Sequence, residues 1–310
     1  MNFQGLRVVE KPEFYMKTAC HRGDNAASTI RNSKKTTSRL DKSKDIELKR
    51  LTTINDFIVN SLNNIIKSYP SIDDLPEFYQ QLVAITLDKA FLKKSLGGIN
   101  WAASTINSLH NKYVGKIKRS QEPNKINVYR REFIGRAKSV LQRLKSEFEY
   151  LEHARKTMKD YPNIKTKLFT VAIAGFPNIG KSTLLSKLTA SKPEINDYAF
   201  TTKGLMLGYS DMGYEKVQFI DTPGTLNRFD KMNLIEKQAH LAIKYCAHAI
   251  IYVFDLTEPF PLSDQKKLYE KLKNLDRPMI CYLSKTDIID SEDCKNFVKE
   301  TPEVCTTPEE

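Results

Sequence analysis

The chain has 310 residues, enough for two domains with separate cores, and its 40% hydrophobic and 28% charged residues are those of an ordinary globular protein. No window approaches the ~20 apolar residues of a membrane-spanning helix, and the start, MNFQGLRVVEKPEF, lacks the apolar core of a secretion signal. The formal charge of +12 is uneven: residues 1–165 hold 31 Lys+Arg against 17 Asp+Glu, residues 166–310 hold 18 against 20.

A basic half ahead of a nearly neutral one points to two modules with different partners, the first suited to nucleic acid or another anionic surface. A solvated lysine-rich face accounts for the same numbers. Residues 1–45 contain RNSKKTTSRLDKSKD and show no periodic apolar face, so the pattern predicts a basic, extended or partly disordered arm that orders on a polyanion. From residue 46 the spacing turns helical. Ile46, Leu48, Leu51, Ile54, Ile58, Leu62, Ile65 and Ile66 recur mostly at three- and four-residue steps until Tyr69-Pro70. Further helices are predicted over about 76–95, 99–118 and 126–160, the last with a seam of Phe133, Ala137, Val140, Leu141, Leu144, Phe148 and Leu151. Four helices with short connections predict an all-α antiparallel bundle over 46–162.

After Pro162 the period changes. Short runs at 168–174, 205–210, 216–221, 249–255 and 278–284 read as strands, with helices at 182–189, 232–246 and 263–274. This alternation predicts an α/β domain over 163–310, with a mainly parallel sheet and helices on both faces. The five cysteines (Cys20, Cys246, Cys281, Cys294, Cys305) have no CxxC or CxxH spacing, which argues for a reducing cytosol and against structural zinc.

Between the first strand and the next helix stands GFPNIGKS, Gly175 to Ser182, a phosphate-binding P-loop in its required context. Gly175 and Gly180 let the backbone wrap a phosphate, with Pro177, Asn178, Ile179 and Thr183 in the same cradle. Lys181 is placed for the β- and γ-phosphates and the Ser182 hydroxyl for Mg²⁺. DTPG puts Asp221 at a strand end as a second metal-side group and Gly224 beside the γ-phosphate. In AFTTKG, Thr201 or Thr202 supplies a further hydroxyl for the metal. SKTD, Ser284 to Asp287, ends a later strand. There Asp287 suits the guanine N1–H and exocyclic amine, and the Lys285 stem suits the flat face of the base. Ser284 stands where the usual guanine motif has Asn. Thr306 and Thr307 are the candidates for a final base-contacting loop, with no residues remaining for the helix expected after it.

GFPNIGKST, YAFTTKGLMLGY, DTPG and the helix with IEKQAHLAI resemble the Obg-class P-loop GTPases. EFYQQLVAITLDKAFLKKSLGGINWA and EFIGRAKSVLQRLKSEFEYLEHARKTM resemble the helical domain of the nucleolar GTP-binding protein one family. The resemblance covers most of residues 50–290. It implies a GTPase switch that binds GTP, GDP and Mg²⁺ and acts in assembly of the large ribosomal subunit. Partners on that reading are precursor particles, rRNA, ribosomal proteins and assembly factors. It also implies no membrane partner, a monomer away from the ribosome, and a cytoplasmic location, nucleolar in a eukaryote. The chain looks more like an archaeal member, since it lacks the long eukaryotic C-terminal extension.

By motif position, Lys181, Thr202 and Gly224 carry over as catalytic. Ser182, Thr202 and Asp221 carry over as the metal set. After Gly224, where Ras-like proteins keep a water-orienting glutamine, stands Thr225, followed by the apolar Leu226. The expectation is slow intrinsic hydrolysis, raised by a ribosomal particle or by K⁺ near Asn178. A loop-stabilising role for Asn178, and a scaffold that holds nucleotide without turnover, stand beside these readings.

Overall fold

The computed structural model describes residues 2–32, 38–189, 194–195, 205–213, 215–222, 234–257, 260–301 and 304–308. They fall into two compact units, one made of Asn2–Asp74 with Val83–Lys159, the other of Leu75–Leu82 with Asp160–Glu310.

The first unit is helical. Its elements are α1 (Pro12–Arg31), α2 (Arg39–Ser68), the end of α3 (Glu77–Thr86), α4 (Lys89–Arg119), α5 (Pro123–Gln142) and α6 (Lys145–Lys159). The expected extended arm over 1–45 is corrected here. Residues 12–31 are the helix α1, and α2 begins at Arg39, where the Ser38 hydroxyl accepts from the Asp41 amide. Helix α1 buries Ala19, Gly23 and Ala27, one residue per turn, so its backbone lies close to α2. A methyl group on Gly23 would stand 2.7 Å from Ile54 Cγ1. Ahead of it Phe3, Leu6 and Val9 are buried, and the Val9 amide donates to Glu152.

Two further boundaries differ from the spacing-based expectation. Gly97-Gly98 does not interrupt α4, which runs through 31 residues; Gly98 packs against Leu144, whose Cδ2 would stand 3.1 Å from an added methyl. The break comes earlier, where Asp88 caps α4 by accepting from the Phe91 amide. The predicted helix 126–160 is two helices, turning at Arg143 and Leu144. The seam itself is core: Phe133, Ala137, Leu141 and Leu151 are fully buried.

Among the described residues the second unit carries a seven-stranded sheet in the order β2-β3-β4-β1-β5-β6-β7. The strands are β1 (Phe169–Ala174), β2 (Glu194–Ile195), β3 (Met206–Met212), β4 (Glu215–Asp221), β5 (Ala249–Phe254), β6 (Met279–Leu283) and β7 (Val304–Cys305). The pairs β1–β4, β1–β5, β5–β6 and β6–β7 are parallel; β2–β3 and β3–β4 are antiparallel. Consecutive residues Val171 to Ala174 are all buried, so both faces of the central strand are covered. The covering helices are α7 (Lys181–Leu188), α8 (Leu234–Cys246), α9 (Leu262–Lys273) and α10 (Ser291–Glu300). Helix α10 and strand β7 lie in a stretch whose periodicity predicted neither. The chain enters β1 over Tyr79, whose hydroxyl donates to the Pro162 carbonyl (2.7 Å) and accepts from the Ile164 amide (3.0 Å).

Candidate functional site

The C-terminal edge of a parallel sheet, where neighbouring connections diverge, is where open α/β folds bind ligands. Here β1 lies between β4 and β5, and the loop 175–180 leaves its end. Gly175 has φ of 147°, and a methyl group there would lie 2.8 Å from the Val253 carbonyl oxygen. Asn178 (φ 60°) and Gly180 (φ 93°) also turn left-handed. A non-glycine residue in that region costs of order 1–3 kcal/mol and persists only where its surroundings hold it. Ile179 is fully buried and anchors the loop, Pro177 is half-buried, and Asn178 and Thr183 are exposed.

Gly180 is the N-cap of α7 and brings no side chain to its first turn. The amides of that turn and the positive end of the helix dipole therefore face the concavity made by the loop, a natural seat for an anion. Lys181 is 7% exposed, and its Nζ donates to the Phe176 carbonyl, which folds the ammonium back over the same concavity.

Ser182, next on α7, donates from Oγ to Asp221 Oδ2 across 2.5 Å. Asp221 ends β4 beside β1, with Ile173 in register. Its other oxygen, Oδ1, is buried and has no hydrogen-bond partner among the described residues. Burial pushes the Asp221 carboxyl above its ordinary value, although the Ser182 hydrogen bond and the Lys181 charge pull the other way. A hydroxyl and a carboxylate with one orphaned oxygen, at the mouth of an anion cradle, form a donor set that fits Mg²⁺. Thr222 fixes the start of the next loop by donating from its amide and hydroxyl to the Ile173 carbonyl. Thr201, Thr202, Gly224, Thr225 and Leu226 lie outside the described residues.

The SKTD segment follows β6 and comes close to the cradle: a methyl on Gly180 would meet Ser284 Cβ at 3.5 Å. Ser284 is buried, and both its amide (2.9 Å) and its hydroxyl (3.0 Å) donate to the Phe254 carbonyl. Its hydroxyl proton is thus spent on the neighbouring strand. Lys285 turns left-handed (φ 56°), Asp287 is exposed on the turn after it, and Thr306 directly follows β7.

Sequence reasoning missed three residues here. Asp255, one position past β5, is 1% exposed and accepts from Lys285 Nζ at 2.6 Å and from the Thr257 amide and hydroxyl at 2.9 and 2.6 Å. Burial raises its carboxyl, but these hydrogen bonds outweigh burial and hold it below the ordinary carboxylate value. Gln265, fully buried on α9, brackets the Asp255 backbone. The visible signal was a carboxylate closing the run AIIYVFD, a charge where a buried strand ends. Behind this loop a cavity of about 530 Å³ opens between Phe260 and Phe297 and holds none of the predicted phosphate-binding residues.

Residues 3–165 match the family described as the NOG1 N-terminal helical domain, and residues 170–285 match the family described as 50S ribosome-binding GTPase. The chain is 36% identical over 297 residues to an uncharacterized protein of Methanocaldococcus jannaschii, with 94% of this chain and 83% of that one covered. It is 34% identical to nucleolar GTP-binding protein 1 of Drosophila melanogaster, covering 75% of this chain and 36% of that one. Against the Saccharomyces cerevisiae protein of the same name the identity is 34%, with 76% and 37% covered. The matched part is thus little more than a third of the eukaryotic relatives' length. Among solved structures, Aquifex aeolicus Era bound to GDP and aluminium fluoride is similar at 28% identity and a TM-score of 0.35, covering 44% of this chain and 48% of that one.

Proposed function

Because the chain belongs to the NOG1 family, with the helical domain of that family ahead of a GTPase domain, we propose that it is a GTP-driven switch acting on large-subunit ribosomal precursors and their rRNA. The observation that carries the reading is the Ser182–Asp221 pair at the mouth of the glycine cradle, with Asp221 Oδ1 buried and unpartnered among the described residues. On this reading the amides of 175–183 and the first turn of α7 bind the phosphates. Lys181 exchanges the Phe176 carbonyl for the β- and γ-phosphate oxygens. Ser182 and Asp221 hold Mg²⁺, with Thr202 as the further ligand and Gly224 facing the γ-phosphate. The metal, when bound, offsets charge that develops on the phosphates. Ser284, Lys285, Asp287 and Thr306 surround the base.

Thr225 is too short to hold and orient an attacking water as a glutamine does. Intrinsic turnover is therefore slow, and a cation beside Asn178 or a ribosomal particle supplies the missing charge or positioning. The basic N-terminal half meets rRNA phosphates, so binding falls steeply with salt. The 50S-binding description of the matched family and the nucleolar names of the relatives support this partner. The test is GTP turnover in sodium against potassium, with and without isolated large-subunit precursors. Fast hydrolysis indifferent to both would sink the proposal.

One observation favours a second reading, a scaffold that holds guanine nucleotide for structure. The Ser284 hydroxyl donates its proton to the Phe254 carbonyl, so it offers the base no donor. Lys181→Ala separates the two: a switch stops supporting assembly, whereas a folded scaffold continues.

A further inference from the structure

We propose that Asp255 is a positioning residue of the base site: its buried carboxylate anchors the head of Lys285, so that the lysine stem lies ready beneath a guanine ring before nucleotide arrives. The inference rests on the guanine-nucleotide reading above.

The sheet itself creates the pairing. Strands β5 and β6 run parallel with Phe254 opposite Leu283, so the residues that follow, Asp255 and Ser284-Lys285, emerge side by side at the ligand edge. The Ser284 bonds to Phe254 tie the two strand ends together. At Lys285 the backbone turns left-handed, the Ile288 amide closes the turn on the Lys285 carbonyl, and the side chain returns to Asp255.

Every polar atom of Asp255 is engaged. Oδ2 accepts from Lys285 Nζ at 2.6 Å, and Oδ1 accepts from the Thr257 amide and hydroxyl. The Asp255 amide donates to Gln265 Oε1 at 3.0 Å, and its carbonyl accepts from Gln265 Nε2 at 2.7 Å. Gln265 also donates to the Phe260 carbonyl. The aspartate therefore cannot follow the lysine; the lysine must conform to it. A free lysine stem samples many rotamers, and ordering it only on binding would weaken affinity. Held at its head, it presents a fixed apolar ledge. A buried ion pair serving stability alone is replaceable by apolar groups of the same volume. What recommends a base-site role is the identity of the cation: it belongs to the segment read as meeting the base.

The test uses the full chain with magnesium, measuring affinity for a fluorescent GDP analogue, GTP turnover, and thermal unfolding without nucleotide. Asp255→Asn keeps an acceptor for Thr257 and loses the charge that holds Lys285; Lys285→Met keeps a stem and loses the head. Each weakens GDP binding about tenfold, and the double variant binds no worse than Lys285→Met alone, because one residue acts through the other. In turnover, Asp255→Asn raises KM and leaves kcat unchanged, since a base contact is the same in ground and transition states. Thr257→Val, which leaves every charge in place and removes both the hydroxyl brace on Asp255 and a longer contact that Thr257 Oγ1 accepts from Lys285 Nζ (3.3 Å), gives a smaller loss in the same direction and carries the test if Asp255→Asn does not fold. Wild-type affinity in Asp255→Asn, with or without a lowered melting temperature, overturns the inference, and so do losses that multiply in the double variant. Absence of GDP binding by the wild-type chain overturns the guanine reading and this inference with it.

Discussion

Ser182 and Asp221, 39 positions apart in the chain, share a hydrogen bond of 2.5 Å from the first turn of α7 to the last residue of β4. The hydroxyl occupies one carboxylate oxygen, and the other is buried with no partner among the described residues. Burial raises the folded-state pKa of Asp221 above its unfolded value, so the native protein without metal takes up a proton that the unfolded chain does not. The stability this group contributes is therefore greatest with the carboxyl protonated, and falls as pH rises from the ordinary aspartate range through the raised value. Asp221→Asn removes that dependence. Its melting temperature without magnesium equals or exceeds that of the wild type at pH 7, while stabilisation by magnesium and GDP together is largely lost. Thermal melts from pH 4 to 8, with and without both ligands, check the pair of outcomes. A drop in the metal-free melting temperature would show that Asp221 is a structural acceptor first.

Gly175 offers a test of the cradle that leaves every charge in place. Alanine there must adopt φ near 147° and set its methyl 2.4 Å from Ile179 Cδ1 and 2.8 Å from the Val253 carbonyl. The isoleucine end can move, but the strand carbonyl cannot. Gly175→Ala is expected to cost about 1–3 kcal/mol of stability and to abolish nucleotide binding at concentrations that saturate the wild type. Urea unfolding and GDP titration read the two effects separately.

Legibility in the sequence followed the kind of signal. The strands β1 and β5 were visible because, being mostly buried, they read as short, nearly unbroken apolar runs, and the P-loop because its two glycines, Gly175 and Gly180, stand at the motif's spacing and take positive φ. Helix α1 was hidden for the opposite reason. Beyond Tyr15 and Met16 its buried face is Ala19, Gly23 and Ala27, small residues that add almost nothing to an apolar periodicity count. The Asp255–Lys285 pair was hidden because parallel strand register, not sequence proximity, brings the two together.

The α1 contact yields its own prediction. A methyl on Gly23 would meet Ile54 Cγ1 at 2.7 Å and Arg50 Cγ at 3.2 Å. Gly23→Ala improves intrinsic helix propensity by ~1 kcal/mol, and overpacking opposes it by about 1–3 kcal/mol. Close packing is expected to win, giving net destabilisation of the helical unit. Were Gly23 an exposed position on a loose arm, the same change would stabilise. Denaturant unfolding of the variant decides between the two by sign alone.

A last prediction concerns the charge buried inside that basic unit. Glu47, 5% exposed, accepts from Arg50 Nη1 with both oxygens (2.8 and 2.9 Å) and from Arg130 Nη1 at 3.2 Å. Asp24 on α1 stands 3.1 Å from Arg50 Nε, so the cluster joins α1, α2 and α5. Arg130 can turn toward water, but Arg50, 7% exposed, cannot. Glu47→Ala therefore leaves a buried guanidinium with only the exposed Asp24 beside it, and is expected to cost about 3–5 kcal/mol. Glu47→Leu combined with Arg50→Met removes both buried charges and fills similar volume, so it should be less damaging than Glu47→Ala by about 2 kcal/mol or more. Urea melts of the full chain measure both variants. If the double variant is the less stable, the cluster contributes net electrostatic stability, and desolvation does not dominate at this site.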